Sequence, residues 1–186
     1  MKKYLFVLVV LIGLGTANAQ EKKVTPAMEI GYGFLSSEGS GNSFSYRFAF
    51  GANYHITKGV YVGAKIGYNS ANYSGLMDRR TSYDLQSHFI TLPLEAGYIL
   101  GNVEKFTATP IAGLDFNYQV KTKMKVGNEK RSSTMDDKFT VAARVGLRLG
   151  FNSFQLGGAY VIPLNDTHKK YFGSDAYPEI SLGFSF

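Results

Sequence analysis

The chain has 186 residues, with 21 Gly, 13 Tyr and 14 Phe but no Trp and no Cys. Without Cys, disulfides and lipid anchoring through a thiol are excluded. The formal charge of +6 falls by two once Lys2 and Lys3 are set aside, which gives no case for nucleic acid as a partner.

Lys2 and Lys3 precede an apolar run from Tyr4 to Leu14, and Ala17-Asn18-Ala19 then has the small-x-small form that a signal peptidase accepts. This predicts a cleaved signal peptide over residues 1–19, with Gln20 as the first mature residue. The apolar run is too short for a spanning helix, which needs about 17–25 residues. Residues 20–186 read as one domain without internal linkers. No later segment keeps apolar residues at helical spacing, so the mature chain is all-β.

Alternating residues predict eight strands, because side chains of a strand point to opposite faces in turn. The first, Ala27–Leu35, sets Met28, Ile30, Tyr32 and Phe34 against Glu29, Gly31 and Gly33. The second, Phe44–Ile56, is the plainest: even positions are aromatic, Ile or Ala, and odd ones small, polar or charged. After a tight turn, Val60–Tyr68 forms the third, with Lys65 on its polar face. A polar stretch, Asn69–Asp84, reads as a loop. The fourth, Ile90–Tyr98, carries Glu95; the fifth, Ala112–Val120, carries Asp115. Pro93 and Pro110 fall inside this pair, where a closed sheet has no free edge, so a bulge is expected there.

The charged stretch Lys121–Asp137 has no rhythm. Strand six, Phe139–Leu149, bears Arg144 and Arg148; strand seven spans Phe154–Ile162 and strand eight Glu179–Phe186, with Glu179 on its polar face. Connections alternate between tight turns and long polar loops, the last of them Asn165–Ala176. That asymmetry belongs to an up-and-down barrel in an outer membrane, with short periplasmic turns and longer outer loops.

Alternation by itself also suits a soluble eight-stranded barrel. The two faces decide between them. The odd face is rich in Gly, Ser and Ala, and its charges are matched: Glu29, Glu95, Asp115 and Glu179 against Arg47, Lys65, Arg144 and Arg148. Buried charges need partners, so these eight are expected to form a lumen network. The even face carries too many rings for a narrow interior, but none too many for lipid. Tyr32, Tyr46, Tyr54, Tyr68, Tyr98, Tyr118 and Tyr160 supply interfacial girdles.

Catalytic and metal motifs are sparse. His55, His88 and His168 are too far apart in sequence for a metal-ligand pair, so no metal and no cofactor are expected. Ser87-His88 with Asp84 or Asp166 is the one grouping that suggests a rim hydrolase, and nothing fixes its geometry. An enzyme is therefore not expected. The inward charges suit a salt-bridged plug, with an ion path as the alternative; an aqueous channel needs about 16–18 strands. Lys121, Lys123, Lys125, Lys130 and Arg131 are a solvated charge run or a contact for lipopolysaccharide phosphates.

The Ala-Asn-Ala-Gln leader end, Leu92-Pro93-Leu94, Pro110-Ile111-Ala112-Gly113 and the terminal Gly183-Phe184-Ser185-Phe186 carry a family resemblance. The chain resembles the small outer-membrane β-barrel proteins of the Bacteroidota (porin-family, PorT-like), similar in size to the OmpA and OmpX barrels of Gram-negative bacteria. The resemblance implies Phe186 as a C-terminal assembly signal read by the outer-membrane assembly machinery. It leaves the role open: a structural or surface-interaction protein, a narrow pore, a rim hydrolase or an accessory protein in secretion. The expected surroundings are outer-membrane lipid and lipopolysaccharide, and a monomer is expected.

Overall fold

The computed structural model describes residues 23–35, 43–76, 82–102, 106–126, 129–132, 137–172 and 175–185. Phe186 and the leader lie outside the described residues. The chain forms β1 (Val24–Leu35), β2 (Ser43–His55), β3 (Val60–Leu76), β4 (Ser82–Tyr98), β5 (Leu100–Asn102) and β6 (Phe106–Val126). It continues as β7 (Glu129–Ser132), β8 (Phe139–Phe151), β9 (Phe154–Pro163), α1 (Asp166–Phe172) and β10 (Tyr177–Ser185).

All pairings are antiparallel. The sheet runs β4-β3-β2-β1-β10-β9-β8-β6 and closes through β4 against β6, giving an eight-stranded barrel. The short β5 continues β4 along β6, and β7 folds back on the far end of β6. The first and last strands close the ring, Ala27 opposite Ser185 and Gly33 opposite Glu179. A closed ring leaves no open edge around the barrel wall.

Parity fixes which side chains meet lipid. Ile30, Phe48, Ile66, Leu92, Leu147 and Leu182 point outward and are all among the exposed large hydrophobics, with Ile30 52% exposed. Their neighbours Glu29, Arg47, Lys65, Thr91 and Arg148 are all buried. This apolar outside around a polar inside is the reverse of a soluble barrel, and it is stable where the solvent is hydrocarbon.

Strand ends depart from the alternation at the end away from the tight turns. β3 and β4 have 17 residues each and β6 has 21, against the ~9–11 that span a bilayer. Most of the expected Asn69–Asp84 loop is therefore strand, and Lys121–Val126 extends β6. The expected Asn165–Ala176 loop contains α1. The strand is hidden there because the outward row carries polar residues such as Asn72, Gln86 and Lys123 in place of rings, while inward Ser87 and Thr122 are buried but polar too.

The expected bulge at the two prolines is also corrected. The β3–β4 ladder pairs Ala64 with Leu94 and Gly67 with Thr91, and lapses between them where Pro93 lies. Gly97 pairs with Ile111, Leu100 with Ala108, and the ladder lapses between these pairs, opposite Pro110. The register is the same on both sides of each gap. Each proline thus costs local ladder bonds for want of an N–H, and shifts nothing. On the β3 side the ladder register runs on past this gap, with the Ile99 N–H donating to the Gly59 carbonyl at 2.6 Å. The register shift on this pair lies between His88 and Phe89, where Val120 is the extra residue on β6.

The tight turns follow from local chemistry. Thr57 Oγ1 accepts from the N–H groups of Gly59 and Val60 at 3.3 and 3.1 Å, and so shapes the β2–β3 turn. Asn152 takes the left-handed φ of 51° between β8 and β9, a conformation Asn tolerates better than most residues.

Candidate functional site

The lumen is the chemically distinctive place in the barrel. Its charged side chains come from seven strands: Glu29 on β1, Arg47 on β2, Lys65 on β3, Glu95 on β4, Asp115 on β6, Arg144 and Arg148 on β8, and Glu179 on β10. Small partners make room for them. Arg47 stands opposite Gly31, Glu95 opposite Gly63 and Gly113, and Arg148 opposite Gly157. A Cβ at Gly31 would lie 2.7 Å from Glu179 Oε1, and one at Gly63 would lie 3.1 Å from Glu95 Cγ.

The structure brings all eight charges into one network. Glu29 is the hub. It pairs with Arg47, with Lys65 Nζ at 2.9 Å, with Arg148 Nη2 at 2.7 Å and with Arg144 Nη1 at 3.6 Å. Glu95 takes a two-pronged contact from Arg148, at 2.5 and 2.7 Å, and a third from Lys65 at 2.8 Å. Arg144 joins Asp115 at 2.5 Å to Glu179 at 2.6 Å, and Arg47 reaches Glu179 at 3.0 Å. Four acids face four bases, so the cluster is neutral and none of its members is left alone in a water-poor interior.

Tyr61 also belongs to this cluster. Arg148 Nη1 donates to its hydroxyl at 3.0 Å, and that hydroxyl lies 3.4 Å from Glu95 Oε1. Its odd position beside Gly63 and Lys65 was the available signal, since a tyrosine on the small-residue face has no lipid to meet.

Above the charges, towards the long connections, an aromatic cap closes the barrel. Phe172 packs on Phe89 with ring centroids 5.3 Å apart, and Tyr171 meets the same ring edge-on at 5.4 Å. His168 stacks on Phe172 at 4.0 Å, and Phe172 on Tyr177 at 5.9 Å. Asn165 starts α1 as its cap: its Oδ1 accepts from the His168 N–H at 3.2 Å, and its Nδ2 donates to the Phe139 carbonyl at 3.1 Å. The Tyr171 hydroxyl donates to Gln119 Oε1 at 2.6 Å, which pins the helix to β6.

His168, expected in a loop, is thus a buried helical residue. Neither of its ring nitrogens has a partner among the described residues. Burial among rings holds its pKa down to about 4, with Asp115 pulling weakly the other way.

The Ser87-His88 grouping comes apart. Ser87 faces the lumen, fully buried, 3.2 Å from Thr122 Oγ1. His88 faces outward, bonded to the Tyr68 hydroxyl and 3.4 Å from Ser70 Oγ. Adjacent strand residues point to opposite faces, so the two do not meet. Asp84 accepts from Ser74 Oγ at 2.8 Å, and Asp166 sits in the first turn of α1. His55 lies at the other end of the barrel, 2.8 Å from Thr25 Oγ1.

The family model for the outer membrane protein beta-barrel domain matches residues 5–185. Among solved structures, the chain is similar to the N-terminal β-barrel domain of OprF from Pseudomonas aeruginosa, at 13% identity over 88% of this chain and 98% of that one, with a TM-score of 0.43. It is similar to Ail, the attachment invasion locus protein of Yersinia pestis, at 13% identity over 88% and 97%, with a TM-score of 0.47. It is likewise similar to the outer membrane enzyme PagL, at 12% identity over 86% and 98%, with a TM-score of 0.42. No curated protein sequence matches it. The chain belongs to the outer membrane protein beta-barrel domain family, and the outer membrane is where its apolar wall is at home.

Proposed function

We propose that the protein is a non-enzymatic, plugged outer-membrane barrel that acts as a structural or surface-interaction protein through its long outer connections. The observation that carries this reading is the neutral ion-pair network from Glu29 to Arg148 across the lumen, under the cap of α1. An eight-stranded interior holds little beyond its own side chains, and here those side chains are locked to one another. The same reading places the chain with the PorT-like barrels of the Bacteroidota, exported by its cleaved leader, assembled through Phe186 and working as a monomer.

In planar bilayers the purified protein is expected to give no reproducible conductance. Steady single-channel steps would overturn the plug and favour a narrow pore for small solutes. A rim hydrolase needs a nucleophile and base within reach, and Ser87 and His88 stand on opposite faces. An accessory role in secretion rests on the resemblance alone.

A further inference from the structure

The extra residue Val120 has an effect on charge. Below it, odd positions of β6 face the lumen: Asp115, Asn117 and Gln119 are buried. Continued unchanged, that parity would drive Lys121, Lys123 and Lys125 inward. The shift at Val120 turns the strand over by one residue, so that Thr122 is buried and the three lysines are exposed on the outer wall.

Their height along the wall is set by register. Ile90, Tyr68 and Tyr118 share one outward row. Lys121 is in the next row, with His88, Ser70 and Tyr46. Lys123 follows beside Gln86, Asn72 and Phe44, and Lys125 beside Asp84. Successive rows are about 7 Å apart along the strand. Tyrosine rings mark the boundary between hydrocarbon and headgroups, so the lysines stand at headgroup level and just above it. On β7, Lys130 is the backbone register partner of Lys125. No described carboxylate forms an ion pair with Lys121, Lys123 or Lys125.

We infer that Lys121, Lys123 and Lys125 form an outward basic ladder that holds anionic, phosphate-bearing headgroups of the lipids around the barrel's outer rim. Charge complementarity selects this occupant, because a wall at headgroup height meets lipid phosphates before anything else. The ladder rests on the membrane-seated reading of the barrel, but lipid selectivity is read independently of conductance.

The test uses the full protein in phosphatidylcholine vesicles with a spin-labelled lipid, either phosphatidic acid or phosphatidylcholine, and measures the fraction immobilised at the protein. Wild type is expected to prefer phosphatidic acid, and the preference is expected to weaken in high salt. The triple substitution Lys121→Gln, Lys123→Gln and Lys125→Gln reduces that preference by at least about fivefold, the worth of one basic residue near an anionic surface. Arginine at the same three positions preserves it. If the triple variant does not assemble, Lys123→Gln alone reads the same partition. An unchanged preference in the glutamine variants overturns the inference, as does a preference lost equally with arginine.

Discussion

Replacing Glu29 with glutamine is expected to destabilise the barrel by about 3–5 kcal/mol, the usual cost of breaking a buried charge network from one side. The amide keeps the shape of the carboxylate and removes its charge. Arg47, Lys65, Arg144 and Arg148 all approach Glu29 within 3.6 Å or closer, so all four lose their shared partner at once. Those cations cannot turn to water, since the side chains of Arg47 and Lys65 are each 2% exposed. Combining Glu29→Gln with Lys65→Met restores charge balance. The double variant should therefore be more stable than Glu29→Gln alone, a coupling that a double-mutant cycle isolates. Reversible urea unfolding in detergent micelles measures both. A Glu29→Gln midpoint equal to that of wild type would show that the network contributes nothing.

Acid is expected to loosen the cap while leaving the wall intact. His168 is held neutral in the folded cap, with a pKa of about 4 against an ordinary 6.5. Unfolding of the cap therefore takes up a proton in this range, and stability rises with pH. The contribution is complete above pH 6.5 and is lost as pH falls from there through 4. The loss by pH 4 amounts to about 3 kcal/mol. That is large for a helix of seven residues, which packing rather than propensity holds in place.

Fluorotyrosine at Tyr171 and Tyr177 reports the cap by fluorine NMR. Both signals should move from buried towards solvent-exposed positions between pH 7 and pH 4, and His168→Phe should abolish the change. Signals that stay put down to pH 4 in the wild type would contradict the assignment to His168.

The barrel was legible wherever one face meets lipid and the other does not. Phe44–Ile56 shows the contrast most plainly, with Phe48 exposed and Arg47 buried beside it. The balance of inward charges was legible for the same reason, since an even split of acids and bases on a glycine-rich face has few uses outside a closed interior. Legibility ended where that contrast ends. Along Asn69–Ser74 and Lys121–Val126 the outward face is largely polar while the inward face, with Ala71 and Thr122, stays buried, so strand continues without an apolar rhythm to reveal it.

The cap is not legible in the sequence, because α1 is too short to show helical periodicity and its anchor Phe89 lies just before the expected start of strand four. Phe89 was nonetheless a signal. It is a large ring on the inward parity, and only something apolar entering the lumen from above accounts for it. The prolines are ambiguous for another reason: a missing donor can be absorbed by a gap in the ladder, with no need for an extra residue. The bulge fell instead at Val120, in a segment whose sequence carries no mark of it.

The central claim is that the rings of this barrel face hydrocarbon and its charges face one another. Methyl NMR in bilayer nanodiscs with a nitroxide on the lipid acyl chain tests that directly. Outward Leu92, Leu94, Val145, Leu147 and Leu182 should broaden strongly, while inward Leu35, Ile111 and Val161 stay sharp. Broadening of Ile111 and Val161 with sharp signals from Leu92 and Leu147 would turn the barrel inside out and contradict the account.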